Sequence, residues 1–403
     1  MRDRSDNDGE PGRAGVGPEP HEGPRPRLAG PSALAVAAGA TTVLPGFLVG
    51  ALALQIRGDL DVSVAAVASG VSVFFAAGAL GAGPGGRLAE RVGALAAIRG
   101  CLLVTAACLV SVAALAQSLA VLLGLLVLTG LSNAVSQPAI NLFMADQVPL
   151  ERQGIAFGIK QSAIPAAVLV SGLALPLIAL PFGWRPTFVL CALAALAVAA
   201  VVGRSARSFV APPPRPRAPR PSRALVMTAV GAALGSAGPN SLGAYLVASA
   251  VDVGIAEGAA GVLAAAGSAA SLVTRVAFGE RADRRRDYGF AMVVGLLAVG
   301  STGFLLLTFD SPGLFVVGTL VAFSLGWGWP GLFNLAVVDH NREAPAAATG
   351  VTQTGIYVGA AAGPAAFGLV STELGYAAAW AMAGGLCLLA ALAFAYASRL
   401  RRQ

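Results

Sequence analysis

The sequence predicts an all-α membrane protein, with twelve transmembrane helices in two pseudo-symmetric six-helix bundles. Three observations lead there. The 403-residue chain is 56% hydrophobic and 12% charged. That is about half the charge of an average soluble domain, too little polar surface to cover a globule in water. Twelve apolar runs each approach the ~20 residues that a helix needs to cross ~30 Å of hydrocarbon. Finally, a charged stretch, Gly86-Arg-Leu-Ala-Glu90-Arg91-Val-Gly93, returns 193 positions later as Gly279-Glu-Arg-Ala-Asp283-Arg284-Arg285-Arg286. Duplication within an apolar chain is how many transporters are built.

Taken in order, residues 1–31 are polar, charged and rich in Gly and Pro. They read as a disordered cytoplasmic tail and lack the apolar core of a signal peptide. The first six runs lie near 33–56, 62–83, 94–116, 119–145, 154–179 and 186–203, giving an N-terminal bundle over 32–203. Residues 204–223 hold six Pro and six Arg and predict a semi-extended linker that can touch anionic lipid. The second six runs lie near 224–250, 257–278, 288–309, 313–337, 349–370 and 376–398, giving a C-terminal bundle over 224–398. Residues 399–403 form a short basic tail. Helices are expected rather than strands, from run length and Ala, Leu and Gly content. Inside lipid each helix bonds all its own backbone groups.

Arginine sets the expected orientation. Arg87, Arg91, Arg204, Arg207, Arg281, Arg284 and Arg399 fall on one side, whereas the opposite loops carry only Arg57 and Arg185. The positive-inside rule then places both termini in the cytoplasm, of a bacterial inner membrane. The net charge of +7 sits in short clusters between apolar runs, which fits lipid headgroups and argues against nucleic acid.

Further pairs recur at an offset of 192: Gly158-Ile-Lys160-Gln161-Ser162 with Gly350-Val-Thr352-Gln353-Thr354, Pro138 with Pro330, and Gly183-Trp184 with Gly375-Tyr376. With these residues and the repeated glycine–acidic–arginine stretch, the chain resembles the major facilitator superfamily over about residues 33–398. Ala156-Phe-Gly-Ile-Lys-Gln-Ser and Phe182-Gly-Trp-Arg185 look like permeases of the cyanate and organic-anion type. The resemblance implies alternating access to one midplane site. It implies gating by Gly86, Glu90, Arg91, Gly93, Gly279, Asp283 and Arg284, whose charges latch the outward-facing form. Two departures stand out: Ala94-Leu95 replaces a basic pair, and Arg286 replaces a closing glycine.

The chain's only lysine, Lys160, falls inside the fifth run, against 26 arginines. A buried ammonium costs about 2.5 kcal/mol or more at a helix centre. Either it faces a wet cavity and an anionic substrate, or its stem snorkels to the surface. Arg275, in the eighth run, has the same two readings, an interfacial arginine or a substrate clamp. Asn133, Gln137 and Asn141 repeat every fourth residue and share a helix face. They serve as cavity lining or as interhelical glue. Gln161, Asn240, Trp327, Trp329, Asn334, Gln353 and Tyr357 complete the candidate lining. Gly359-Ala-Ala-Ala-Gly363-Pro364 reads as close helix packing.

No Asp or Glu falls near the centre of a run, which disfavours cationic cargo and favours an anion or a polar neutral compound. Drug–proton antiporters of the superfamily carry an arginine in the fourth span and a Gly-Pro motif in the fifth. Here 128–141 holds no arginine, and Ile164-Pro165 lacks the glycine. Four dispersed cysteines and two histidines offer no metal-ligand spacing. Gly81-Ala-Gly83-Pro-Gly85-Gly86 matches a dinucleotide pattern but ends a membrane helix rather than a strand. No cofactor, metal or enzymatic chemistry is therefore expected. The expectation is a monomeric secondary transporter of a small organic anion, with a coupling proton or an exchanged solute left open. Multidrug or metabolite efflux, and a non-transporting membrane sensor, are the alternatives.

Overall fold

The structure, a computed structural model, describes residues 29–147, 159–204, 221–284, 289–342 and 345–400. Most of the expected tail and linker, Gly154, Arg286 and residues 401–403 lie outside them. The elements of the first half are α1 (Ala29–Ala51), α2 (Ala53–Leu60), α3 (Val64–Val92), α4 (Ala94–Leu115), α5 (Leu119–Gln147), α6 (Ala163–Ala174) and α7 (Trp184–Arg204). Those of the second are α8 (Arg223–Asp252), α9 (Glu257–Arg284), α10 (Gly289–Leu306), α11 (Pro312–Val321), α12 (Pro330–His340) and α13 (Pro345–Leu400).

Among the described residues, nine helical segments are long and apolar enough to cross a membrane. One of these, Ala348–Leu400, contains Gly375 at φ 84° and is two helices joined at that residue. Shorter Phe290–Leu306 and the long α8 bring the spans to twelve.

Successive spans run in alternate directions. Asp59, Ala116 and Arg185 meet at one end of the first bundle, and Arg99 meets Gly203 at the other. The second end, shared with the charged stretches, is the arginine-rich face. At the arginine-poor face, Arg185 donates to the Asp59 carboxylate and to the Ala116 carbonyl (3.0 Å), and its guanidinium stacks 4.3 Å over Trp184. The Arg185 bond holds the Asp59 carboxyl below its usual pKa.

The duplication is visible in the turns. Asp61 (φ 50°) ends the first span and Gly254 (φ 87°) follows the seventh. Gly183 (φ 87°) precedes the sixth and Gly375 (φ 84°) the twelfth. These left-handed positions pair at the same offsets as the sequence matches. Ser63 and Ser222 cap α3 and α8 by accepting from Ala66 and Leu225 N–H groups at 3.1 and 3.2 Å.

The structure corrects three expectations. The charged stretches, expected as loops because they lie between apolar runs, are helical: residues 86–92 are the last turns of α3, and Gly93 (φ 89°) alone turns the chain into α4. Residues 279–284 of the second copy are likewise the end of α9. The fifth span is not continuous, because it breaks at Gln161–Ser162 and passes through a π-helical turn at Leu175–Ala179. Pro176 in that turn has no N–H to complete the regular α-helical ladder. The tenth span is also divided, by a π-helical turn at Ala322–Gly326 and a bend over 327–329.

Packing between the bundles follows the same symmetry. The second span (α3) packs on the eleventh, the first part of α13. Its counterpart, the eighth span (α9), packs on the fifth (α6), and α1 packs on α8. Small residues allow this: a Cβ on Gly172 would meet the Gly261 carbonyl at 2.6 Å, and a Cβ on Gly261 would meet the Gly172 carbonyl at the same distance. Within the second bundle, Gly355, Gly359 and Gly363 press against the backbone of Ala229, Ala233 and Ala237, so this stripe is packing. One apolar core joins both bundles toward the arginine-poor face and continues through the second bundle to its arginine-rich end at Leu225, Phe290 and Phe394. A separate core, including Ala38, Ile98, Ile140 and Met144, fills the arginine-rich end of the first bundle. The bundles therefore share a core at the arginine-poor face, whereas at the arginine-rich face each has its own.

Candidate substrate site

The site is built on two helix breaks. In the fifth span, Pro165 has no N–H to bond the Gln161 carbonyl four residues back. The chain turns there, with Ser162 N–H donating to Ile159 (2.9 Å) and Ala166 N–H to Ser162 (3.0 Å). In the tenth span, Trp327 leaves the α region (φ −114°, ψ 2°) just before Pro330, which cannot donate to the Gly326 carbonyl four residues back.

Arg275 joins the two breaks. Its Nη1 donates to the Gln161 carbonyl of the first bundle, and its Nη2 donates to the Trp327 carbonyl of the second at 2.7 Å. The side chain is 6% exposed, and its Nε–H has no partner. The guanidinium is thus buried between the bundles rather than at the lipid interface. Lys160, one residue from Gln161, is 7% exposed. Among the described residues its ammonium has no hydrogen bond or ion pair. Acidic groups sit elsewhere: Asp59 pairs with Arg185, and Asp339 lies 3.6 Å from Arg342.

Next to Lys160, the first bundle contributes amides. Asn133 is buried, and its Oδ1 accepts from Gln137 Nε2 at 3.2 Å and from the Thr42 hydroxyl at 3.4 Å. A Cβ on Gly39 would meet Ala163 at 3.0 Å and Gln137 at 4.0 Å, so Gln137 stands near the start of α6. Exposure rises along α5: Asn133 is buried, Gln137 half-buried and Asn141 exposed. The shared face therefore opens toward the arginine-rich side.

In the second bundle, Trp327 faces the first, with its ring 5.9 Å from Phe47 and 5.6 Å from Phe323. Tyr357 lies 6.4 Å from Phe75, which lies 5.7 Å from Phe47. These rings form an aromatic layer between bundles. Asn240 is buried, with Nδ2 donating to the Ser236 carbonyl at 2.7 Å and Oδ1 unpaired. Gln353 and Asn334 are half-buried. Trp329 is placed differently. It packs on Phe333 and Phe394, 5.1 and 5.8 Å away, inside the second bundle. Sequence reading missed Phe47, Phe75, Phe323 and Thr42, because apolar rings and a lone hydroxyl in apolar runs carry no periodic signal. The one available signal was Pro165, which marks Gln161 as a free acceptor.

Among the expected gating residues, Gly86 is half-buried, while Glu90 and Arg91 are exposed without an ion pair among the described residues. Gly93 makes the turn described above, and a Cβ on Gly279 would meet nothing within 4 Å. The side chains of Asp283 and Arg284 lie outside the described set.

The Major Facilitator Superfamily model matches residues 32–242 and 224–403. No curated protein matches the chain in sequence. Two similar solved structures are of a bacterial homologue of the human lysosomal transporter Spinster. The inward-facing, occupied form has a TM-score of 0.71 and 17% identity, covering 94% of this chain and 98% of that one. The inward-facing, unoccupied form has a TM-score of 0.66 and 14% identity, covering 94% and 97%.

Proposed function

The chain belongs to the major facilitator superfamily, and on that premise we propose that it carries a small organic anion by alternating access. One observation supports the choice of cargo. Two cationic side chains, Lys160 and Arg275, are buried at neighbouring positions, without a carboxylate partner among the described residues. A buried charge needs compensation, and an anion supplies it. The unpartnered Nε–H of Arg275 is a donor ready for that ligand. A cation-efflux site would instead want a carboxylate beside the two helix breaks, and none of the described residues bonded to Arg275 or Lys160 carries one.

By the positive-inside rule the arginine-rich face is cytoplasmic. The joined face then looks outward and the parted face inward, so this is an inward-facing form. The exposure gradient from Asn133 to Asn141 agrees with it, as do Glu90 and Arg91, which form no ion pair among the described residues. Rocking would close the arginine-rich face, and Arg275, holding one carbonyl from each bundle, lies where that motion is felt.

The test is transport by purified protein in liposomes, with a panel of carboxylates, cyanate-like anions, neutral metabolites and organic cations. An anion should be carried. Lys160→Ala and Arg275→Gln should each reduce its transport about tenfold or more, the worth of one hydrogen bond to a charged group. Transport of cations only, or unchanged anion transport in both variants, would refute the proposal.

A further inference from the structure

At the arginine-poor face the bundles flank an open cleft with a cavity of about 340 Å³, remote from the two helix breaks. Arg57 and Ser63 line it from the first bundle, and Tyr245, Ser371, Thr372 and Tyr376 line it from the second. No carboxylate is in the lining. Arg57 is exposed and forms no ion pair among the described residues, while its neighbour Asp59 is engaged by Arg185.

The donors here are free. Tyr245 is 1% exposed, and its ring is fixed by stacking on Phe367 at 4.7 Å. Among the described residues its hydroxyl has no hydrogen-bond partner, and neither does that of Tyr376. Ser371 and Thr372 spend their protons on the Gly368 carbonyl, at 3.0 and 2.8 Å. Ser63 accepts from Ala66 N–H, which leaves its proton available. A guanidinium, two phenols and a hydroxyl thus converge on a space of small-molecule size. Such a set asks for an acceptor ligand. One guanidinium balances one negative charge, and Asp252, close enough to act electrostatically on Tyr376, repels a second.

We propose that this cavity is a second ligand site, for a small monocarboxylate, that staples the bundles together at the arginine-poor face. It rests on the alternating-access reading but not on Lys160 or Arg275. Rocking would pull Arg57 and Ser63 away from the two tyrosines. A ligand touching both sets therefore binds the joined form better and shifts the population toward it. Such a ligand, present on that side, slows turnover from the opposite side of the membrane to the parted face.

The test uses the full chain in nanodiscs, spin-labelled at Gly58→Cys and Glu373→Cys across the cavity mouth. Both positions are exposed, and the four native cysteines are buried. Acetate, propionate and benzoate are the probes. Each should enlarge the short-distance population. Arg57→Gln should need about tenfold more carboxylate for the same shift, and Tyr376→Phe should weaken it in the same direction. Lys160→Ala should leave it unchanged. The proposal is overturned if the unsubstituted chain gives no shift, if Arg57→Gln responds at the same concentrations, or if Lys160→Ala abolishes the response. The last result would place the effect at the central site.

Discussion

The missing N–H of Pro165 decides what Arg275 can do. An ordinary helix would consume the Gln161 carbonyl, and the guanidinium would have no acceptor in the first bundle. Pro165→Ala restores a competing N–H. The Arg275 bond and the Pro165 break should therefore behave as one unit. We expect Pro165→Ala and Arg275→Gln to be non-additive in thermal unfolding, with a coupling of about 1–2 kcal/mol for a bond to a charged group. Additive effects would show that the contact contributes nothing. This scale was half legible in the sequence. Lys160 and Arg275 stood out, because cations inside apolar runs are rare. Their surroundings did not, because backbone carbonyls look alike in every residue and only a proline hints at which one is free. The two tryptophans make the same point. Trp327 and Trp329 are two residues apart, and one faces the first bundle while the other packs inside its own.

Element boundaries follow the turns more closely than the charges. Gly183 and Gly375 hold φ near +85° with extended ψ (163° and 169°), a region almost closed to other residues. A Cβ on Gly375 would touch nothing within 4 Å, so substitution there tests the backbone alone. Gly375→Ala and Gly183→Ala should each destabilise by about 1–3 kcal/mol in thermal unfolding. Gly385→Ala, helical and also free of contacts, should be close to neutral. The repeat was readable because a duplicated turn keeps its glycine at a fixed offset. The helical state of the charged stretches was not. Charge there suggests solvent, and an exposed helix end satisfies that expectation as well as a loop does. The breaks in the fifth and tenth spans were hidden for a different reason: apolar composition continues across them.

At the scale of the molecule, duplication foretells two bundles but not which face they close. That choice lies in contacts such as Gly172 on Gly261 and Phe47 on Trp327, which join residues far apart in the chain. A linear pattern is silent about such pairs. The separate core at the arginine-rich end of the first bundle is equally invisible to it, since the same alanines would serve a joined face.

Because Arg275 is held by carbonyls rather than carboxylates, no ion pair among the described residues cancels its charge, and Lys160 adds another. Transmembrane voltage acts on any net charge that shifts along the field, by about 2.3 kcal/mol per elementary charge per 100 mV for a full crossing. An empty carrier would therefore reorient under electrical load, whereas one holding a monoanion would feel roughly half of it. In potassium-loaded vesicles treated with valinomycin, polarisation should change net flux more than one-for-one exchange.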